Sequence, residues 1–218
     1  MKHYLLTRAY RDPDYPLDAS YRRIELLRGI TARSLAGQGT DWTWLVYVHP
    51  NDPLREERLD AFRSAGAPVI PLASDTEVDA AIDWSGPVLT TRIDDDDAFA
   101  GDAFRRLHVA VAGLRRRTAL MFPVGYRIND GMSERIVHGR NAWASLYAPA
   151  GDHAHVRQIA HPNIAMLAPI HVVDQRPAWL WVRHQDAESG FRRADQPITP
   201  ALRALYPVDW DLLAGVPA

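Results

Sequence analysis

Residues 89–99 read Leu89-Thr90-Thr91-Arg92-Ile93-Asp94-Asp95-Asp96-Asp97-Ala98-Phe99. The apolar residues from Pro87 to Ile93 predict a strand, and the residues after the aspartates predict a helix. Carboxylates crowded at one strand end repel one another, so they are stable there only when solvated, spread over a helix N-terminus or neutralised by a cation. A hard divalent ion with oxygen ligands fits this pattern best.

Helix capping is an alternative explanation for the aspartates. Asp favours the N-cap and the first turn of a helix, and a helical period follows in Phe104, Leu107, Val111 and Leu114. Capping accounts for one or two aspartates but gives no reason for four in a row behind a buried strand. The run therefore favours an ion-binding site over a cap.

The composition limits the classes of protein and of chemistry. A chain of 218 residues is long enough for one domain with a sizeable core. The net charge of -2 and a pI near 6.5 predict no binding to nucleic acid. The chain has no cysteine, so a metal must bind carboxylate or imidazole groups. Because we find no signal peptide and no run of ~18 apolar residues, we expect a cytoplasmic protein without an integral membrane segment.

The first half alternates strand-like and helix-like runs. Strands are predicted at 4–7, 42–48, 69–72 and 87–93, with helices at 21–35 and 54–64. This order predicts βαβ units and a parallel sheet, whose ligands bind at the carboxyl ends of the strands. Those ends lie near Thr7 and Arg8, 49–52, 74–75 and 94–97. The sequence has no dinucleotide-binding or P-loop glycine motif, so phosphates would need a metal or arginines, and Arg8 and Arg92 are the best placed.

The second half has shorter strand-like runs at 119–124, 142–147, 165–173 and 179–182, and a final helix at 200–206. We expect this half to cover the sheet edge and to build an acceptor site. Trp143, Trp179 and Trp181 are candidates for stacking on a sugar, although aromatic residues in such runs are more often core. His153 and His155 form a possible metal pair, with a solvated loop as the alternative.

Three segments carry a resemblance to a known family. Residues 6–8, 34–46 and 89–98 resemble the putative rhamnosyltransferase family, a group with the GT-A nucleotide-sugar glycosyltransferase fold. The resemblance implies an α/β, Rossmann-like and mostly parallel sheet flanked by helices, with a smaller mixed β-rich acceptor region. It also implies one domain over residues 1–218, with a nucleotide-sugar-binding half at 1–117 and an acceptor-binding half at 118–218.

The resemblance implies site residues as well. Asp94 would lie on the nucleoside side, Asp96 would hold Mn²⁺ or Mg²⁺, and Asp97 would support it. His49 stands where such enzymes commonly have an acidic residue for the base or ribose, and Asp52 or Asn51 is the expected substitute. The residues expected to bind the nucleotide sugar are Thr7, Arg8, Asp52, Arg92, Asp94 and Asp95.

The segment from Trp179 to Asp186 occupies the position of a His-Gly-x-Asn-like segment in the family, from which Gln185 departs. His184 is therefore a candidate metal or phosphate contact, with a surface histidine as the alternative. An inverting transferase also needs a base for the acceptor hydroxyl. Asp186 is the first candidate for that catalytic role, and the other candidates are Glu188, Asp152 and Asp130.

The sequence thus predicts a metal-dependent glycosyltransferase, which moves a sugar from a nucleoside diphosphate to a hydroxyl of a glycan or small molecule. Two other classes of protein are alternatives. A haloacid-dehalogenase-like phosphatase also has D-x-D after a strand, but the position two residues past its second aspartate, Ala98, matches that motif poorly. A catalytically degenerate fold could instead serve as a sugar-nucleotide or protein binding module.

Overall fold

The computed structural model describes residues 1–9, 16–39, 41–129, 131–139, 143–183 and 194–214. Its strands, in chain order, are β1 (Lys2–Arg8), β2 (Thr43–Tyr47), β3 (Val69–Leu72), β4 (Val88–Arg92), β5 (Ala98–Phe99), β6 (Thr118–Met121), β7 (Val124–Asn129), β8 (Met132–Val137), β9 (Ser145–Ala148), β10 (Ile170–Val172), β11 (Trp179–Arg183) and β12 (Gln196–Pro197). They form two sheets.

The helices are α1 (Leu17–Leu26), α2 (Arg33–Ala36), α3 (Arg55–Arg63), α4 (Val78–Ala81), α5 (Ala103–Val111), α6 (Pro200–Leu205) and α7 (Trp210–Ala214). A π-helical stretch, Leu27–Ala32, joins α1 to α2. Short 3₁₀ turns lie at Asp75–Glu77, Val156–Gln158 and His161–Met166. None of the helices in these ranges is long and apolar enough to cross a membrane.

The main sheet has seven strands in the order β10-β6-β9-β4-β1-β2-β3. β1 to β4 are mutually parallel where they pair, and β9 runs antiparallel to both of its neighbours. β1 and β4 are buried over almost their whole length, as expected for parallel strands covered on both faces. The predicted α/β fold class with a mostly parallel main sheet flanked by helices is confirmed.

Helices cover the main sheet on both faces. The first face packs Leu5, Trp44 and Val46 with side chains of α1, α3 and α5 in one core cluster. The predicted apolar stripe of the first helix lies buried, at Ile24, Leu27, Ile30 and Leu35. The opposite face packs against α4 and the 3₁₀ turns.

The second sheet has the order β12-β8-β7-β11-β5. β11 is parallel to β7, and the other pairs are antiparallel. Its outer face packs on α6 and α7 in a separate cluster. The main sheet takes strands from both sides of residue 117, and the division into two halves remains a prediction.

Three local predictions were wrong. The aspartates do not lead directly into a helix: residues 94–97 form a turn, the two-residue strand β5 follows, and α5 begins only at Ala103 with Asp102 at its N-cap. Capping therefore does not explain the run. The strand predicted at 119–124 is divided at Pro123 between β6 and β7, because proline lacks the N–H that a central strand needs. Most of the strand predicted at 165–173 is irregular or 3₁₀, and only β10 remains.

A buried hydrogen-bonded chain crosses the centre of the main sheet. His108 Nε2 on α5 lies 3.1 Å from His3 Nδ1 on β1, and His3 Nε2 lies 2.9 Å from Thr91 Oγ1 on β4. Thr91 Oγ1 lies 2.8 Å from Ser145 Oγ on β9. Burial, and secondly the nearby His108, hold the pKa of His3 well below its usual value. His3 is therefore neutral in the folded protein near neutral pH.

We expect acid to destabilise the fold through His3. Below about pH 6.5 the unfolded chain binds a proton at this position and the folded chain does not, so each pH unit lowers the free energy of unfolding by about 1.4 kcal/mol until the folded pKa is reached. In urea unfolding of His3→Gln between about pH 7.5 and 5.5, the free energy of unfolding should fall less steeply with falling pH than in wild type, by a difference that grows toward about one proton at the acid end. His171→Gln, at an exposed position of β10, is the control. An unchanged slope in His3→Gln would contradict this assignment.

Candidate functional site

The four aspartates form a turn, here called the aspartate turn (Asp94–Asp97), at the carboxyl end of β4. Its side chains alternate between two environments. Asp95 and Asp97 are buried, with 1% and 3% of their surface exposed, whereas Asp94 and Asp96 are half-buried. Two carboxylates therefore anchor the turn, and the other two are open to a ligand.

Asp95 anchors the turn to the first helix. Its Oδ1 accepts a hydrogen bond from the guanidinium of Arg23 on α1. Arg58 on α3 adds positive charge nearby, and its Nε donates a 2.8 Å hydrogen bond to the buried Asp52. Burial raises the pKa of Asp95, and Arg23 opposes that shift. Two helices thus supply the charge that keeps a buried carboxylate in place.

Asp97 anchors the turn to the second sheet. Its Oδ1 accepts a 3.1 Å hydrogen bond from the backbone N–H of Val182 on β11. Burial, followed by the neighbouring carboxylates of Asp96 and Asp94, raises the pKa of Asp97 well above its usual value. The aspartate turn consequently lies where the carboxyl ends of β4 and β11 meet.

Arginines surround the two open carboxylates. Arg92 Nη2 lies 3.3 Å from Asp94 Oδ1, and Arg23 Nη2 lies 3.4 Å from Asp96 Oδ2. The negative charges of Asp97 and Asp96 also attract the guanidinium of Arg183, at the end of β11. His161 lies near Arg92 and Asp94: its pKa is lowered first by burial and then by Arg92. The negative charge of the turn is thus balanced largely by cations from distant parts of the chain.

Three predicted nucleotide-binding residues have bonds within the protein. The buried Thr7 donates to the Ile93 carbonyl at 3.0 Å and accepts from Trp44 Nε1 at 2.9 Å. Asp52 binds Arg58 and accepts from the Leu54 backbone N–H at 3.0 Å. Asp95 binds Arg23. These bonds give the three residues structural roles, and their contact with a nucleotide remains a prediction.

Arg8 and Arg92 lie at the carboxyl edge of the main sheet, as predicted. Arg8 pairs with Asp75 and lies 5.8 Å from the ring centroid of Tyr47. The side chains of Arg8 and Asp75 are exposed, at 46% and 47% of their surface, and their contact lies at the sheet edge rather than at the aspartate turn. Arg92 is adjacent to Asp94 and is the better placed of the two for a phosphate near the turn.

Four of the other candidates lie outside the described residues: His184, Asp186, Glu188 and Asp130. Asp152 binds Arg117 through two hydrogen bonds of 2.8 and 2.5 Å, and this contact lowers the pKa of Asp152, which makes it a weak base.

The two histidines of the possible metal pair, His153 and His155, contact different residues. His153 stacks on Trp84 with ring centroids 5.1 Å apart, whereas His155 lies 3.4 Å from Asp79. Across the part of the chain that the structure describes, no three histidine, aspartate or glutamate side chains group in a way that could hold a metal ion.

Sequence reasoning missed Arg23, Arg58, Arg183 and His161. These residues lie on α1, α3, β11 and a 3₁₀ turn, and only the tertiary fold brings them to the aspartates. Of these four residues, only Arg183 could have been found from the neighbouring sequence, because it ends a strand that was predicted correctly. Arg23 and Arg58 lie on helices whose other charged residues are mostly exposed, and nothing in the sequence distinguishes them.

Comparison with known families identifies the family of the chain. Residues 18–196 match the family model described as putative rhamnosyl transferase, and the chain belongs to that family. The resemblance found from the three sequence segments is thereby confirmed. None of the curated proteins matches the sequence.

Two solved structures resemble the chain at low sequence identity. The crystal structure of S. aureus TarS aligns with a TM-score of 0.48 and 9% identity, over 84% of this chain and 37% of that chain. The 2.76 Å structure of a putative glucose-1-phosphate thymidylyltransferase from Bacillus anthracis, in complex with a sucrose, aligns with a TM-score of 0.41 and 10% identity, over 82% and 88% of the two chains. This chain thus spans little more than a third of the TarS chain.

The contact between Arg23 and Asp95 gives a test of the anchoring role. Arg23→Gln leaves a buried carboxylate without its partner, so we expect a loss of about 3 kcal/mol in the free energy of unfolding. Arg63→Gln on α3 is the control, because its contacts with Asp60 and Glu56 are exposed and should contribute less than about 0.5 kcal/mol. Urea unfolding measures both.

The double variant Arg23→Gln/Asp95→Asn extends the test. If the two side chains stabilise each other, the double variant should lose less stability than the sum of the single variants. Additive losses in this cycle would contradict a direct anchoring contact.

Proposed function

We propose that the protein transfers a sugar from a nucleoside-diphosphate sugar to a hydroxyl group of a glycan or small-molecule acceptor, with the help of Mn²⁺ or Mg²⁺. The observation that carries the proposal is the alternation in the aspartate turn. Asp94 and Asp96 are open at the carboxyl end of a parallel strand, where α/β sheets bind their ligands, while Asp95 and Asp97 hold the turn from inside.

The donor chemistry of the turn fits a hard divalent ion. Mg²⁺ is usually bound by one or two carboxylates together with substrate phosphates and water, and Asp96 with Asp94 offers such a set. His184, the other expected ligand, lies outside the described residues. A bound ion would stabilise the negative charge of the departing diphosphate as a Lewis acid.

The protein's own groups have defined tasks in this proposal. Asp94 accepts hydrogen bonds from hydroxyls on the nucleoside side, and Arg92 beside it attracts the diphosphate. Arg23 holds Asp96 in position and reduces repulsion within the turn. Asp186 removes the proton of the acceptor hydroxyl, because that oxygen must become nucleophilic as the donor bond breaks.

A binding module without turnover is the second candidate. The internal bonds of Thr7 and Asp52 favour it, because they occupy two of the groups expected to recognise a nucleotide. The two candidates differ in one measurable property. Only the transferase hydrolyses a sugar nucleotide slowly when the acceptor is absent.

The test compares Asp96→Asn with Asp60→Asn, an exposed aspartate on α3. A panel of nucleoside-diphosphate sugars is screened by thermal shift with Mn²⁺ and with EDTA, and calorimetry then measures affinity. We expect wild type and Asp60→Asn to bind a donor at least about tenfold more tightly with Mn²⁺, and Asp96→Asn to lose that difference, since a carboxylate ligand is removed.

Turnover separates the two candidates. Slow donor hydrolysis by wild type in Mn²⁺ supports a transferase, whereas tight binding with no hydrolysis supports a binding module. An Asp96→Asn protein whose donor affinity depends on metal as strongly as wild type would overturn the metal assignment.

A further inference from the structure

An open cavity lies on the side of the first helix that faces away from the aspartate turn. Its volume is about 580 Å³, which suits a small-molecule ligand. Arg23 holds the turn from one side of α1. Glu25, two residues further on, projects from the opposite side, because two residues are more than half a turn of an α-helix. The walls of the cavity include Glu25, Arg28, Gly29, Arg33, Asp209 and Leu212.

The π-helical stretch Leu27–Ala32 brings two arginines to this cavity. Hydrogen bonds between residues five apart close each turn of a π-helix, so Arg33 comes to lie one turn beyond Arg28. In a regular α-helix, residues five apart point in clearly different directions. Both arginines line the same cavity as a result. A π-helical turn is rare and is frequently found at a functional site, which indicates a binding role for this surface.

Gly29 allows α7 to form the opposite wall of the cavity. A Cβ atom at Gly29 would lie only 2.9 Å from Leu212 Cδ2 and 3.3 Å from Asp209 Cβ. The Gly29 carbonyl accepts a 2.8 Å hydrogen bond from the backbone N–H of Asp209. Asp209 Oδ1 in turn accepts hydrogen bonds from the N–H groups of Asp211 and Leu212, at 3.2 and 3.4 Å. The π-helix and α7 are therefore in direct contact, and the carboxylate between them is held in place.

The charged side chains of the cavity are at most loosely paired. Arg33 Nη1 lies 3.6 Å from Asp209 Oδ2, which is too long for a hydrogen bond, and both side chains are exposed. Within the ranges that the structure describes, Glu25 and Arg28 have no ion-pair partner. A ligand can therefore bind two guanidiniums and a carboxylate here without first breaking a strong contact.

We propose that this cavity binds a phosphorylated sugar. The phosphate pairs with Arg28 and Arg33, because guanidinium forms two parallel hydrogen bonds to phosphate oxygens. The sugar hydroxyls donate to the carboxylate of Glu25, and Leu212 packs against the ring. A bare anion fits less well, because the carboxylates of Glu25 and Asp209 repel it. This binding goes beyond the proposed transfer reaction and does not depend on it.

The experiment measures binding of glucose 6-phosphate and glucose 1-phosphate by calorimetry, in EDTA and without a sugar nucleotide. We expect Arg28→Gln and Arg33→Gln each to weaken this binding at least about tenfold, since each variant loses charge-assisted hydrogen bonds to phosphate. Both arginines are exposed, so neither substitution should prevent folding. Arg105→Gln is the matched control and should bind as wild type, because Arg105 is also an exposed helical arginine, 3.3 Å from Asp102.

Arg92→Gln separates the cavity from the aspartate turn. We expect this variant to bind both sugar phosphates as wild type does, because Arg92 lies beside Asp94 at the turn. Loss of binding in Arg92→Gln, with normal binding in Arg28→Gln, would place the sugar phosphate at the turn and overturn the proposal. No saturable binding by wild type, or wild-type affinity in both Arg28→Gln and Arg33→Gln, would overturn it as well.

Inorganic phosphate tests the role of the carboxylates. We expect wild type to bind it at least about tenfold more weakly than the sugar phosphates, because it has no sugar hydroxyls that can donate to Glu25. Glu25→Ala should reduce this difference in affinity. Equal affinity of wild type for inorganic phosphate and for the sugar phosphates would indicate a general anion site and contradict the proposal.

Discussion

The buried contact between Arg23 and Asp95 is the interaction on which the site depends. Removing a carboxylate from water costs several kcal/mol, and only a well-placed cation with good hydrogen bonds offsets that cost. Arg23 provides it from α1, and Arg58 adds charge from α3. Helices α1 and α3 are therefore part of the site, although the two arginines serve to hold the turn.

The alternation of environments explains how four consecutive aspartates are accommodated. The turn between β4 and β5 places two carboxylates inside the protein and leaves two partly exposed. The buried pair binds Arg23 and the Val182 N–H, which fixes the turn. Asp94 and Asp96 lie next to Arg92 and Arg23 at 3.3 and 3.4 Å, so cations reduce the repulsion between these carboxylates as well.

Much of the main sheet could be predicted from the sequence, but few of the cations that surround the aspartates could. Strands β1, β2 and β4 were found because burial on both faces leaves a short continuous run of buried residues, and the first helix was found because burial of one face leaves a helical period. The two-residue strand β5 leaves none, so the aspartates were wrongly joined to a helix. The run predicts the position of the site, which stays a prediction, and its partner Arg23 comes from a remote segment. A resemblance to one family supplied the activity, which periodicity alone does not contain.

The bond between Asp97 and Val182 has a further structural consequence, because it joins the two sheets at the site. Asp97 follows the end of β4 in the main sheet, and Val182 precedes Arg183 at the end of β11 in the second. Any shift of the second sheet relative to the turn would break this buried hydrogen bond, which costs about 1–3 kcal/mol. The position of the aspartate turn is therefore tied to the end of β11 by a direct backbone contact, in addition to the attraction of the surrounding cations.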